Sequence, residues 1–244
     1  MLQLKASDSF IQIVKRVKVV RAIVLCEGKR DVEVLKVIAK RLGFLDMLRD
    51  VAVTDSEGID TLRGTVLPSI LSLMLGKVIK VKPLALIVDA NKLAAEERLQ
   101  AVINSLKSRG YEIHSCEKIC DNVWSIRTTI AIEREPEAFA IEIVPVIIAI
   151  NGIFQHPFEN LEVHELEDHI AYLKFLTSRL GEEEIMRVKR ASQLVTDDDL
   201  NLIENADEEN IRKAFRHISC VLERLKAILK PENQVVIWRS WLRG

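Results

Sequence analysis

Two acidic residues stand where chemistry would use them. Glu27 follows the run VKVVRAIVLC (residues 17–26), and Asp89 follows PLALIV (residues 83–88). Both runs are apolar without alternation, the pattern of strands buried on both faces of a parallel sheet. In an open α/β sheet, ligands bind at the carboxyl ends of such strands. Carboxylates converging there can hold Mg²⁺ or Mn²⁺, hard cations that prefer oxygen ligands. The cation can then polarise a phosphoryl oxygen or activate water. The competing use of each acid is to cap the helix that follows, where negative charge is favourable.

The elements that must position these acids are legible in outline. Glu27-Gly28 ends the first strand, and Asp31 opens a helical pattern with Val32, Leu35, Ile38, Ala39 and Leu42 on one face and Gly43 as its C-cap. Residues 51–54 form a short second strand before the turn cluster Asp55-Ser56-Glu57-Gly58. Residues 61–75 are expected as a second helix, weakened near its start by Gly64 and Pro68. Residues 94–108 form a strong helix ending at Gly110, followed by a fourth strand at 111–115. Strand and helix thus alternate, the signature of parallel βαβ units. Residues 123–133 and 138–150 are expected as an antiparallel pair around Arg134-Glu135-Pro136-Glu137. Beyond Phe158 the pattern is helical, over 161–180, 182–194 and 208–229. The expected organisation is an α/β domain over 1–158 and a helical C-terminal region, 159–244, packed on or beside it.

Bulk composition narrows the function classes. The 244 residues are 48% hydrophobic and 29% charged, which suits a chain with a substantial core. Lys and Arg total 35 against 36 Asp and Glu, so a strongly basic nucleic-acid binder is excluded, although a local basic strip or a bound cation could still meet phosphates. The longest apolar run, residues 141–154, is broken by Glu142, Pro145 and Asn151, short of the about 18 apolar residues a membrane helix needs. No membrane partner is expected. The first residues lack the apolar segment of a secretory signal, so the expected location is cytoplasmic. The four cysteines, at 26, 116, 120 and 220, are expected to be reduced there. His114, Cys116 and Cys120 lack the paired spacing of a zinc site. Cys26, a strand-end thiol beside Glu27, is expected to have a raised pKa and is not read as a nucleophile.

Residues 23–42, IVLCEGKRDVEVLKVIAKRL, resemble the first motif of the Toprim family. That motif is a hydrophobic strand ending in Glu-Gly, then an acidic residue three positions later that opens a helix: here Glu27, Gly28 and Asp31. The second motif is a strand ending in Asp-x-Asp. PLALIVDAN supplies Asp89 and, in the third place, Asn91. The resemblance covers about residues 17–146. It implies a Toprim-like (Rossmann-like) α/β fold, a mostly parallel sheet flanked by helices. It also implies that Glu27 acts as general acid, base or metal ligand, and that Asp89 binds Mg²⁺ or Mn²⁺. Asn91 offers only a neutral carbonyl oxygen and leaves the site one negative charge short. The segment 152–169 is similar to the acidic helix that follows the sheet in stand-alone Toprim-like proteins. It brings Glu165 and Asp168 forward as further ligands. On a helix, Glu165 and His169 share one face and His164 and Asp168 another; the plain alternative is a solvated acidic face.

Lys29 and Arg30 beside the first acidic turn, and Lys92 after the third strand, could meet phosphate. Lys77, Lys80 and Lys82 could track a backbone electrostatically or simply solubilise a loop. Trp238 and Trp241 are read as anchors of the C-terminal tail. Asp197-x-Asp199-x-Asn201 imitates a calcium loop, but Leu202 stands where that loop needs glycine. Two functions fit these features. One is a Mg²⁺- or Mn²⁺-dependent protein acting on nucleic-acid phosphodiesters, most simply a nuclease. The other is a catalytically degenerate Toprim-like module that binds nucleic acid, nucleotide or a protein partner. The apolar faces of the C-terminal helices permit a homodimer.

Overall fold

The computed structural model describes residues 2–4, 19–58, 60, 66–75, 80, 82–135, 138–196 and 198–230. Seven strands form one sheet: β1 (Leu2–Leu4), β2 (Ala22–Cys26), β3 (Val51–Asp55), β4 (Leu84–Asp89), β5 (Tyr111–Cys120), β6 (Val123–Glu135) and β7 (Ala138–Asn151), in the order β1-β3-β2-β4-β7-β6-β5. From β1 to β7 every pairing is parallel; β6 and β5 continue the sheet as an antiparallel meander. The fold is α/β, with a mostly parallel sheet flanked by helices and a helical C-terminal region.

β2 is shorter than the apolar run that announces it. Its ladder begins at Ala22 opposite Val51, where β3 itself begins, and Val19 is left exposed. All five of its residues are buried, as a strand covered on both faces requires. Helix α1 (Lys29–Arg41) buries Val32, Val34, Leu35, Ile38 and Ala39 as one stripe. It stops at Gly43, whose φ of 73° lets the Phe44 N–H turn back to the Ala39 carbonyl at 2.8 Å. Helix α2 (Leu67–Leu75) carries the later part of the second expected helix; residues 61–65 lie outside the described set, as does Lys77. Helix α3 is Ala95–Lys107.

The fourth strand departs from simple βαβ alternation. β5 does not lie beside β4 but forms the far edge of the sheet, antiparallel to β6. β7 takes the place next to β4. The cause is composition: residues Val146 to Ile150 of β7 are all buried, whereas β5 is largely exposed after Tyr111. A strand that can be covered on both faces goes to the middle, and one that cannot goes to the edge.

The C-terminal helices are α4 (Leu166–Leu176), α5 (Glu182–Met186), α6 (Asp199–Asn205), α7 (Glu208–Ala214) and α8 (Arg216–Leu229). The helix expected from residue 161 begins only at Leu166, because Val163 and His164 are used in bridges to Arg190 and Asn91. The one expected over 182–194 splits into α5 and a 3-10 turn at Ala191–Leu194. The one expected over 208–229 breaks at Phe215, a fully buried residue with non-helical φ and ψ of −116° and 42°. One core cluster joins β2, β4 and β7 to α2 and α3. A second, on the opposite sheet face, joins the same strands to α1, α4, α6, α7 and α8. The first two positions of the calcium-like loop divide: Asp197 lies outside the described residues, and Asp199 accepts from the Thr196 N–H at 2.6 Å as a helix-start residue. Trp238 and Trp241 also lie outside them. No helix among the described residues is long and apolar enough to cross a membrane.

Candidate functional site: an acidic cluster at the strand ends

Three neighbouring parallel strands end in polar side chains. Cys26 of β2 pairs with Ile87 of β4, and Asp89 of β4 pairs with Asn151 of β7. Glu27, Asp89 and Asn151 therefore emerge side by side at the carboxyl edge of the sheet. The Glu27 Oε2 accepts the backbone N–H of Asp89 at 2.9 Å. The Asn151 Nδ2 donates to Asp31 Oδ1 and to Asp89 Oδ1, both at 2.8 Å. An amide nitrogen has two hydrogens, and this pair of bonds uses both. Asp31 Oδ2 accepts the Gly28 N–H at 2.9 Å, and Asp89 Oδ1 also accepts the N–H of Leu166, the first residue of α4, at 3.2 Å. Each aspartate thus caps a helix start and faces the cluster at once.

The amide orientation fixes a proton further back. With Nδ2 turned to the carboxylates, Asn151 Oδ1 faces His217 Nε2 at 2.9 Å, so Nε2 must donate. Burial and the neighbouring His169 push the His217 pKa well down, so the ring is neutral and Nδ1 carries a lone pair. His169 stacks on His217 with ring centroids 3.9 Å apart. It accepts the Gly152 N–H at Nε2 and donates from Nδ1 to the Ala214 carbonyl.

Burial and like charge strain the cluster electrostatically. Burial, with added repulsion from Glu27 and Glu167, pushes the Asp31 carboxyl up to about 7 against the pull of the Asn151 and Gly28 donors. Asp89 is held well above the usual carboxylate range, by burial first and then by Asp31 and Glu27. Glu167, in the first turn of α4, is raised by burial and by Glu165, and Arg30 opposes it at 3.5 Å. Burial, then Asp31 and Asp55, push the Cys26 thiol up, in the direction expected for a residue that is not a nucleophile.

The other residues singled out in the sequence take different places. Asn91 adopts a left-handed φ of 58° and exchanges backbone hydrogen bonds with His164, both 2.8 Å. Glu165 precedes α4 and pairs with Arg190 at 3.3 Å. Asp168 is fully buried and accepts from Ile153 N–H at 3.1 Å and from His164 Nδ1 at 2.8 Å. Glu165 Oε1 and Asp168 Oδ1 are each buried without a hydrogen-bond partner among the described residues, and Glu167 is an α4 acid whose charge raises both Asp31 and Asp89. Arg30 also donates to the Thr196 carbonyl at 2.7 Å. Lys29 is exposed and pairs with Glu33 within its own helix, and Lys92 is exposed near Glu162. His114 bonds Thr129, while the Cys120 thiol meets that of Cys220.

Sequence reasoning missed Asn151 and His217. Asn151 had a signal: it ends an apolar strand as Glu27 and Asp89 do. His217 had none, being one polar position of an amphipathic helix.

The sequence profile of a family described as "Protein of unknown function (DUF3226)" matches residues 21–233. The chain belongs to the DUF3226 family. The matched region takes in Glu27, Asp31, Asp89, Asn151, Glu167 and His217, so the whole cluster lies within the DUF3226 part of the chain. No curated protein matches it. Among solved structures, it is similar to the C-terminal region of the Xanthomonas campestris pv. campestris OLD protein. The two are 17% identical over 84% of this chain and 98% of that one, with a TM-score of 0.33.

Donor chemistry and geometry give different answers for a divalent cation in this DUF3226 site. Buried carboxylates that repel one another are the hard, anionic oxygen set such an ion prefers. Yet among the described residues no three His, Cys, Asp or Glu side chains are already disposed to hold a metal. The Asn151 amide stands between Asp31 and Asp89 instead.

Proposed function

We propose that the chain is a Toprim-like, Mg²⁺- or Mn²⁺-dependent protein acting on nucleic-acid phosphodiesters, most simply a nuclease. The observation that carries this reading is the clustering of three acids at the carboxyl ends of adjacent parallel strands: Asp31 and Asp89 accept from the one Asn151 amide, and Glu27 accepts the Asp89 backbone N–H. Their mutual repulsion is the electrostatic demand a cation would meet. Glu27 and Asp89 would hold the ion, with the Asn91 carbonyl as a neutral donor. The ion would supply a Lewis acid for a phosphoryl oxygen. Glu27, which accepts the Asp89 backbone N–H, would hold or move a proton. Lys29, Arg30 and Lys92 flank the same sheet edge and would meet backbone phosphates.

The second reading is a non-catalytic module of the same kind, binding nucleic acid, nucleotide or a protein partner. It is favoured by Asn151, whose amide already satisfies both aspartates, and by Asn91 in place of a second acid. Cleavage separates the two. Single- and double-stranded DNA and RNA are incubated with the chain and Mg²⁺ or Mn²⁺, with Glu27→Gln alongside. The nuclease reading expects cleavage that EDTA and the substitution each abolish. No cleavage, or cleavage indifferent to Glu27→Gln, leaves the module.

A further inference from the structure

A cavity of about 410 Å³ opens beside the acidic cluster, behind the two stacked histidines. Its walls come from the β5–β6 turn, the exit of β7, α4 and the junction of α7 with α8. That volume is in the range that holds a ligand of nucleotide size, about 300–1,000 Å³.

The lining has a clear chemical bias. Among the described residues, three cations line it, Lys118, Lys213 and Arg216, against one carboxylate, Asp121. Asp121 pairs with Arg216 at 3.1 Å, but both are largely exposed, and such pairs yield readily to a better anion. Lys118 and Lys213 pair with Glu96 and Glu209, which do not line the cavity and are also exposed. Arg216 and His217 are the first residues of α8, whose 14-residue length puts the positive end of its dipole at the same wall. Phe154 and Tyr172 add apolar surface. At the floor, His217 is 2% exposed and its Nδ1 has no hydrogen-bond partner among the described residues. In the neutral ring the Asn151 bond leaves Nδ1 a buried acceptor without a donor, in a residue that lines the cavity.

We propose that this cavity binds a phosphorylated, hydroxyl-bearing ligand of mononucleotide size, its phosphate against Lys213 and Arg216 and its hydroxyl end towards His217. The phosphate has two sources, a free nucleotide or the 5′-phosphorylated end of a nucleic-acid strand. The inference does not depend on cleavage, because the cavity and the acidic cluster lie on opposite sides of the His217–Asn151 bond.

Titration calorimetry of the full chain in EDTA tests it, with AMP, adenosine, inorganic phosphate and a 5′-phosphorylated dinucleotide as probes. AMP should saturate. Adenosine and inorganic phosphate should each bind at least about tenfold more weakly, and Lys213→Glu and Arg216→Glu should each weaken AMP by about tenfold. Both side chains are more than half exposed, so the variants keep the fold. Glu27→Gln should bind AMP as the parent does, which separates this site from the proposed cation site. Tighter binding of the dinucleotide upholds the cavity and assigns a strand end; tighter AMP binding upholds it and assigns a free nucleotide. No saturable binding of either, or binding unmoved by both charge reversals, overturns the proposal.

Discussion

Glu27 and Asp89 meet across two neighbouring strands: Glu27 Oε2 accepts the Asp89 N–H at 2.9 Å, although 62 residues separate them. A glutamine at position 27 can still accept that hydrogen through its carbonyl oxygen but carries no charge. Glu27→Gln should therefore change unfolding free energy by under about 1 kcal/mol while abolishing metal-dependent cleavage. Urea denaturation and the cleavage assay read the two halves. A large loss of stability would mean that the charge, rather than the bond, holds these strand ends together.

The Asn151 side chain bonds Asp31, Asp89 and His217 at once. Asn151→Leu strands two carboxylates and one ring N–H in a buried site. Such losses cost about 1–3 kcal/mol per group, so a decrease of at least about 2 kcal/mol is expected in urea denaturation. Asn151→Asp adds a carboxylate between two others and should destabilise more at pH 8 than at pH 5.

Gly152 is needed for space and conformation. Its φ is 136°, and an added Cβ would stand 2.8 Å from the His164 Cβ. Its N–H also fixes His169. Gly152→Ala should lower stability by about 1–3 kcal/mol, measured as a drop in Tm.

The pH dependence has two opposing parts. Asp31 is raised to about 7, so between about pH 4 and 7 the folded chain keeps a proton that the unfolded chain has lost. The stability that this proton gives is present at low pH and is lost as pH rises through about 7. His169 is pushed down to about 4 by burial, and His217 also falls, so these rings remove stability as pH drops below about 6.5. The two slopes overlap, and the comparison that isolates the first is wild type against Asp31→Asn. The stability difference between them should shift against wild type from pH 4 to 7; a flat difference would contradict the raised carboxyl.

Much of the parallel sheet and part of the cluster were legible in the residues. Glu27, Asp31 and Asp89 stand out because an acid ending an apolar strand or opening a helix breaks a periodic pattern. Asn151 ends a strand in the same way but reads as an interruption in a long apolar run. The place of β5 was hidden, since adjacency in a sheet depends on which strands can be covered on both faces. So was the start of α4, which the Asn91–His164 bridge delays. Helical periodicity from residue 161 put His164 and Glu165 on a helix, whereas α4 begins one residue after Glu165, and Glu167 adds to the charge on Asp31 and Asp89. His217 reaches Asn151 across 66 residues, a contact that only packing creates.

Mn²⁺ titration calorimetry at pH 8 tests most directly whether this acidic cluster takes a divalent cation. Wild type should bind Mn²⁺ saturably, and Asp89→Asn, which removes a charge from the centre of the cluster, should lose that binding. No binding to wild type, or equal binding to Asp89→Asn, would contradict a cation site in the cluster.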